Sequence, residues 1–395
     1  MNSEIIVPDF KNTENAFLGK TDKDLVQLAR VFRLMNSQTL VNLGASVGLF
    51  GVKNNLPFFR AAVKKTVFPV FCGGESLQDS IKTIQSLYEY NTYTVLDYGV
   101  EARAAEADLR KTYQEIKKAV QFAATQKSVP VVSTKLTGLV PNAILEKFQV
   151  DNNLEGEDKR IWDLFFTRID DICKTGSELG VWVYIDAEES WIQESIDYVA
   201  NEMMRRYNKE VPLISNTYQL YRTDRLQYLK DSFTDSKEKG YKLGAKLVRG
   251  AYMSKERLRA SEKGYPSPIQ LTKADTDKAY NEAIEFCVDH YEDIALCNAT
   301  HNADSNALQA KLIIERGLPK DHPNLMFSQL LGMSDAISFN LSKAGFYVSK
   351  YLPYGKVQEV IPYLIRRASE NSSVTGEMSR ELKLIVDELE RRKLV

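Results

Sequence analysis

Histidine and cysteine are scarce in this chain, and net charge is almost nil. Three histidines (His290, His301, His322) and four cysteines (Cys72, Cys173, Cys287, Cys297) are spread over 395 residues. No HxH, HxxxH or CxxC spacing pairs them, so there is no case for a metal site or a redox disulfide. The cysteines are expected as reduced core residues of a reducing compartment. Lysine plus arginine number 52 and aspartate plus glutamate 53, a net charge of −1. That balance gives no electrostatic case for a nucleic-acid partner. No GxGxxG follows an apolar run, the GxSxG match GASVG (Gly44–Gly48) lies within the expected N-terminal helical region and not at a strand end, and no cysteine sits beside a histidine. Neither a Rossmann cofactor fold nor a nucleophilic hydrolase is indicated. The longest mostly apolar stretch, LVNLGASVGLFGV, falls short of the roughly 20 residues a spanning helix needs. The N-terminal MNSEIIVPDFKNTENAFLGK has neither the basic and apolar regions of a signal peptide nor the acid-free character of a transit peptide. The expectation is a cytoplasmic protein, with peripheral contact at a bacterial inner membrane left open.

What is present reads as a large globular core: 44% hydrophobic and 27% charged residues, as in soluble enzymes. Residues 1–90 form an expected N-terminal helical region, with Leu25, Leu28, Val31, Phe32 and Met35 at helical spacing. From residue 91 the texture changes to eight short apolar runs separated by longer helical segments. The runs are TYTVLDYGVEA, VPVVSTKLT, VWVYIDAEE, VPLISNTYQLY, KLGAKLVRGAY, DIALCNATHN, NLMFSQLLGM and GFYVSKYLPYG. Continuous apolar runs suit parallel strands buried on both faces. Eight such units favour an α/β fold of the (βα)8 TIM-like barrel type over residues 91–395, ahead of an open doubly wound sheet. The helix between the seventh and eighth runs is short, so a distorted barrel is expected.

Each run ends in polar residues, and barrel chemistry sits at the C-terminal strand ends. Those ends present Asp97 and Glu101, Lys135, Asp186 with Glu188 and Glu189, Gln219 with Tyr221, Arg249 with Tyr252, Thr300-His301-Asn302, Gln329 and Tyr351. Five cations accompany them: Lys135, Lys246, Arg249, Arg366 and Arg367. Adjacent guanidinium forks suit a two-pronged grip on carboxylate or phosphate. The competing reading of Arg366 is an i,i+4 surface pair with Glu370. Pro362 predicts a kink or restart just before the arginines. The residues by themselves lead to a barrel enzyme acting on a small carboxylate with a bound cofactor.

The motifs KLVRGAYMSKER (Lys246–Arg257) and YLPYGKVQEVIPYLIRRASEN (Tyr351–Asn371) together resemble the proline dehydrogenase family, in its monofunctional form. DAEE (Asp186–Glu189), TYQLY (Thr217–Tyr221), ATHN (Ala299–Asn302) and FSQLLGM (Phe327–Met333) fall in that family's order. The resemblance implies a distorted barrel binding FAD. It also implies oxidation of L-proline to Δ1-pyrroline-5-carboxylate, hydride transfer to flavin N5, and a membrane quinone as electron acceptor. By the same resemblance Arg366, Arg367 and Lys135 hold the substrate carboxylate, and Tyr252, Leu330 and Tyr351 pack around the ring. Asp186 belongs to the substrate site. Gln219, Lys246, Arg249, Thr300, His301 and Asn302 fall at flavin-contacting motifs, Lys273 approaches the pyrophosphate, and Glu370 lies near the adenosine portion. Glu101 is the implied acidic partner that closes the site on an arginine.

The chain departs from the bifunctional bacterial members at three positions. Those members carry arginine where this chain has Lys246, lysine where it has Arg249, and tryptophan where it has Met253. Either Lys246 or Arg249 is therefore the cation at flavin N5. Hydroxyproline dehydrogenase is the nearest rival, disfavoured because a tyrosine at 351 leaves little room for a 4-hydroxyl. A Schiff-base lyase or aldolase barrel using Lys135, or a binding barrel without turnover, would need no flavin. PFFRAAVKKTVFPVF, with Arg60, Lys64 and Lys65, reads first as a helical layer and second as a basic surface for anionic lipid.

Overall fold

The computed structural model describes residues 7–35, 57–99, 105–373 and 377–395, with the side chains of 57–59, 368–373 and 377–379 outside that description. Every apolar run becomes a strand: β1 (Thr92–Tyr98), β2 (Val131–Thr134), β3 (Trp182–Ile185), β4 (Ile214–Gln219), β5 (Leu243–Val248), β6 (Ile294–Ala299), β7 (Leu325–Leu330) and β8 (Val348–Tyr354). They follow one another in order and close into a parallel barrel. Strands β2, β3, β4 and β8 are buried at every residue. That double-sided burial is why their sequences run apolar without alternation. The helical layer is irregular in two places. Two helices, Asn142–Val150 and Gly156–Leu179, lie between β2 and β3, and the helix between β7 and β8 has only nine residues, Asp335–Lys343. All four cysteines are buried. No helix among the described residues is long and apolar enough to cross a membrane.

The chain divides into two compact units. The first holds the described residues of Ala102–Thr300 and Asp304–Phe327. Its buried centre of charge is Asp197, which accepts Gln193 Nε2 and Asn216 Nδ2, each at 2.9 Å, and pairs with Arg225. This cluster ties β4 to the Ser190–Tyr207 helix.

The second unit holds the described residues of Val7–Glu101, His301–Ala303 and Ser328–Val395. Here the N-terminal and C-terminal helices share one apolar cluster that includes Leu25, Phe32, Phe71, Val360 and Ile385. Val63, Val67 and Val70 pack against it. Arg60 and Lys64 both pair with Glu75. Strands β1 and β8 run in register, with Val95 opposite Tyr351. On β8 the Lys350 side chain is fully buried. Its ammonium pairs with Asp335 at 2.8 Å and donates to the Met333 carbonyl at 2.6 Å. Burial works to raise the Asp335 carboxyl, but Lys350 and Lys20 hold it below its ordinary value. Alternation along the strand then turns Tyr351 to the face opposite Lys350.

Lys350→Met leaves the buried Asp335 carboxylate with Lys20, 3.6 Å away, as its one cationic partner among the described residues. Chemical denaturation is expected to show a loss of about 3–5 kcal/mol. Replacing Asp335 by leucine in the same chain is expected to recover much of it.

Candidate active site

In the first unit, strand ends β2 to β5 carry a connected set of polar groups. Lys135 follows β2 and leads into the short turn Leu136–Gly138. The Asp186 amide donates to the Thr134 carbonyl at 2.9 Å, so the β2–β3 ladder runs on into the acidic segment. Asp186 accepts Lys246 Nζ at 2.6 Å, and both side chains are almost wholly buried. Glu189 accepts Lys255 Nζ at 2.8 Å. Between them Glu188 accepts the Thr137 amide at 3.2 Å and the Thr137 hydroxyl at 2.6 Å. Its backbone carbonyl takes Gln219 Nε2 at 2.7 Å, which joins β4 to the same segment. Burial pushes the Glu188 carboxyl up to about 7, and the Lys135 ammonium and the Thr137 donors only partly offset that.

Beyond β5 the chain must turn sharply. The Tyr221 amide donates to the Arg249 carbonyl at 2.8 Å. Gly250 follows at φ 134°, and a Cβ there would meet the Tyr221 ring at 2.4 Å. Only glycine fits both the dihedral and the ring. Tyr252 then begins the Met253–Lys263 helix, and burial pushes its hydroxyl up. Glu256, fully buried in the first turn of that helix, reaches back to accept the Ser190 amide and hydroxyl, each at 2.6 Å. It thereby locks the Tyr252 helix to the end of the acidic segment.

Arg249 is held by many partners. It donates to Asp277 from Nε at 2.9 Å and from one Nη at 2.7 Å, to Thr300 at 2.6 Å and to Ser305 at 3.0 Å. It also lies 4.3 Å over the Tyr280 ring. Lys273 is mostly exposed and pairs with Asp277 at 2.5 Å. Sequence reasoning missed Glu256, Thr137 and Asp277. Only the i,i+4 spacing of Lys273 and Asp277 offered a signal.

In the second unit, His301 Nδ1 lies 3.0 Å from the Ser334 hydroxyl. Asn302 and Leu330 are half-buried and Tyr351 is buried. Arg366 and Arg367 sit in the Val357–Ser373 helix. That helix is continuous through Pro362, so no restart precedes the arginines. Arg367 is buried, with its guanidinium 5.3 Å over the Tyr363 ring. The helix start is fixed from outside. The Gly73 amide donates to the Pro353 carbonyl at 2.9 Å and the Gly355 amide to the Gly74 carbonyl at 3.0 Å. The Val357 amide donates to Glu75 at 3.3 Å. Burial opposes it, but Lys64, this amide and Arg60 hold the Glu75 carboxyl below its ordinary value. Glu101 and the Glu370 side chain lie outside the described residues.

The groups of the first unit fit a flavin. Gln219, Lys246 and Arg249 supply amide and cationic donors at neighbouring strand ends, the set that a flat heterocycle gaining negative charge calls for. The buried Thr134 hydroxyl at the end of β2 has no hydrogen-bond partner among the described residues.

A family model described as proline dehydrogenase matches residues 80–380. The mitochondrial proline dehydrogenase 1 of Dictyostelium discoideum is 33% identical over 401 residues, covering 90% of this chain and 69% of that relative. The human mitochondrial proline dehydrogenase 1 is 39% identical over 265 residues, covering 64% of this chain and 43% of the relative. A crystal structure of proline utilization A from Bdellovibrio bacteriovorus, inactivated by N-propargylglycine, shares the fold with a TM-score of 0.70 at 21% identity. The match covers 91% of this chain and 38% of that one.

Glu188 carries a stability signature. Its carboxyl is raised by folding, so its contribution is fully present below about pH 4.5 and is lost as pH rises through about 7. Glu188→Gln keeps both Thr137 contacts without a charge to ionise. It is expected to match the wild type near pH 4 and to be more stable by roughly 2–3 kcal/mol at pH 8, read by chemical denaturation at the two pH values.

Proposed function

The chain belongs to the proline dehydrogenase family and is an oxidoreductase, and from that premise we propose that it oxidises L-proline to Δ1-pyrroline-5-carboxylate. FAD is the cofactor in this reading, and a membrane quinone, reached by peripheral contact, is the final electron acceptor. The observation that carries it is the adjacent pair Arg366 and Arg367, on the helix that leaves β8, within the residues the family model matches.

Each residue has a chemical task in this reading. The two guanidinium forks grip the proline carboxylate, and Lys135 adds an ammonium. Tyr252, Leu330 and Tyr351 confine the pyrrolidine ring, and Tyr351 disfavours a 4-hydroxyl. Asp186 belongs to the substrate site. FAD, when bound, supplies the acceptor for the hydride that leaves the ring carbon beside nitrogen. Gln219, Lys246, Arg249, Lys273, Thr300, His301 and Asn302 hold it. The substrate amine must be neutral so that its lone pair supports the developing iminium. Fixing the carboxylate orients the donor carbon, which lowers the entropic part of the barrier. No nucleophile is needed.

We assign to Lys246, rather than Arg249, the stabilisation of the negative charge that reduction places on the cofactor. The Arg249 guanidinium braces Asp277, Thr300 and Ser305. Lys246 stands on β5 itself, beside Asp186.

The first test is the visible spectrum of the purified protein before and after anaerobic L-proline. A flavin band that L-proline bleaches is the expected result. A flavin band bleached only by hydroxyproline would replace the substrate, and a protein that takes up no FAD would overturn the reading. Arg367→Met is expected to raise the proline concentration for half-bleaching by about 10- to 100-fold. Lys246→Met is expected to slow bleaching at saturating proline by about 100-fold or more.

A further inference from the structure

We propose that Glu188 is a proton-accepting positioning residue for Lys135: a carboxylate ligand that engages the Lys135 ammonium drives one proton from solvent onto Glu188. The inference rests on the reading that Lys135 serves a carboxylate.

Glu188 sits where three chain segments meet. Its carboxylate is anchored on the turn that follows Lys135, through the Thr137 amide and hydroxyl. Its own amide donates to Gln193 Oε1 at 2.8 Å, and its carbonyl accepts from Gln219. The side chain is therefore fixed at both ends, with a relative exposure of 5%. Neighbouring charges decide what it responds to. On its own segment, Asp186 pairs with Lys246 and Glu189 with Lys255, and the Glu189 charge still adds to the rise of the Glu188 carboxyl. Gln193 of the Ser190–Tyr207 helix and Gln219 of β4 are neutral. Tyr252, ahead of the Met253–Lys263 helix, is kept protonated by burial. Among the described residues, the cation that favours an ionised Glu188 is Lys135. A second anion on Lys135 removes part of that support and adds a repulsion across a buried, low-dielectric space.

The local hydrogen bonds accept either state. When Glu188 is ionised, Thr137 donates twice. When it is protonated, the Thr137 amide still donates to one oxygen. The new O–H then donates to the Thr137 hydroxyl, which can act as acceptor. No bond other than the O–H forms, and the proton comes from the buffer. Because the carboxyl sits at about 7 in the protein without ligand, both states are accessible near neutral pH.

Cyclopentanecarboxylate has the ring and carboxylate of the substrate but no amine to titrate. Its binding to the full chain is measured by calorimetry at pH 6.5–8.5 in two buffers of different ionisation enthalpy. Wild type is expected to take up a fraction of a proton that approaches one above pH 7, with Kd rising by up to about tenfold per pH unit. Glu188→Gln is expected to bind with no uptake from this group and a flat Kd. Thr137→Val, which removes one donor to the carboxylate, is expected to move the uptake window to higher pH. That variant keeps the test decisive if the glutamine variant folds poorly. Wild-type binding without proton uptake, or equal uptake in Glu188→Gln, overturns the proposal and leaves the carboxylate reading standing. Failure of the ligand to bind at all overturns both.

Discussion

A cation can be buried in a barrel wall only if an anion is buried with it. Removing either ion from water costs several kcal/mol, and a well-placed partner with further hydrogen bonds is what recovers it. Lys246 and Asp186 meet this constraint across β5 and the end of β3, 2.6 Å apart. Lys350 meets it with Asp335, while the half-buried Arg249 pairs with the half-buried Asp277. The pairing fixes where positive charge stands before any ligand arrives. Charge that is already oriented needs no reorganisation when a reaction develops negative charge, and that saving is the largest single term in many enzymes. The polar strand ends of the first unit are therefore oriented by the same bonds that stabilise them.

The arginine pair depends on a different device. A helix leaving a strand through a glycine is free to leave at many angles. Here residues 73–75 run beside the end of β8, exchange backbone hydrogen bonds with Pro353 and Gly355, and place Glu75 on the Val357 amide. A carboxylate at a helix N-terminus satisfies an orphan donor and complements the helix dipole. Arg60 and Lys64 hold the other side of that carboxylate. The N-terminal helical layer is thus coupled to the direction of the helix that carries Arg366 and Arg367. Arg60 and Lys64, in a segment read from sequence first as a helical layer and second as a basic surface for anionic lipid, have a partner within the protein.

The strands were legible because burial on both faces leaves long apolar runs, and eight of them alternating with helices favoured a closed barrel over an open doubly wound sheet. The polar groups that close each run were legible for the same reason, since they interrupt it. Lys350 was not. A lysine inside FYVSKYLPY reads as a side chain reaching for solvent, and nothing nearby in sequence announces Asp335 as its partner. Glu256 was hidden likewise. It lies one turn beyond Tyr252, in a helix whose other charges are exposed or half-buried, and its partner Ser190 is 66 residues away. Local spacing reports on periodicity and on i,i+4 pairs, whereas a buried carboxylate is defined by what folds over it. Lys246 and Arg249 were alike in sequence, because both are cations near one strand end; the fold separates them by their partners, Asp186 for the first and Asp277, Thr300 and Ser305 for the second.

Three acidic residues in four, at Asp186, Glu188 and Glu189, would make a poor neighbourhood for an anionic substrate if all three stood ionised and unmatched. The fold removes the objection in two ways. Asp186 and Glu189 are each matched by a lysine from β5 or from the helix after it, which offsets part of their charge. Glu188 is left with hydrogen-bond donors and the Lys135 field in place of an ion pair of its own, and burial brings its carboxyl to about 7. Near neutral pH the segment then balances close to zero charge, with one group able to give up its charge when another anion approaches. A segment that looks acidic in sequence is in the folded protein an adjustable counterweight, and a carboxylate can be accommodated beside it without building a more positive site.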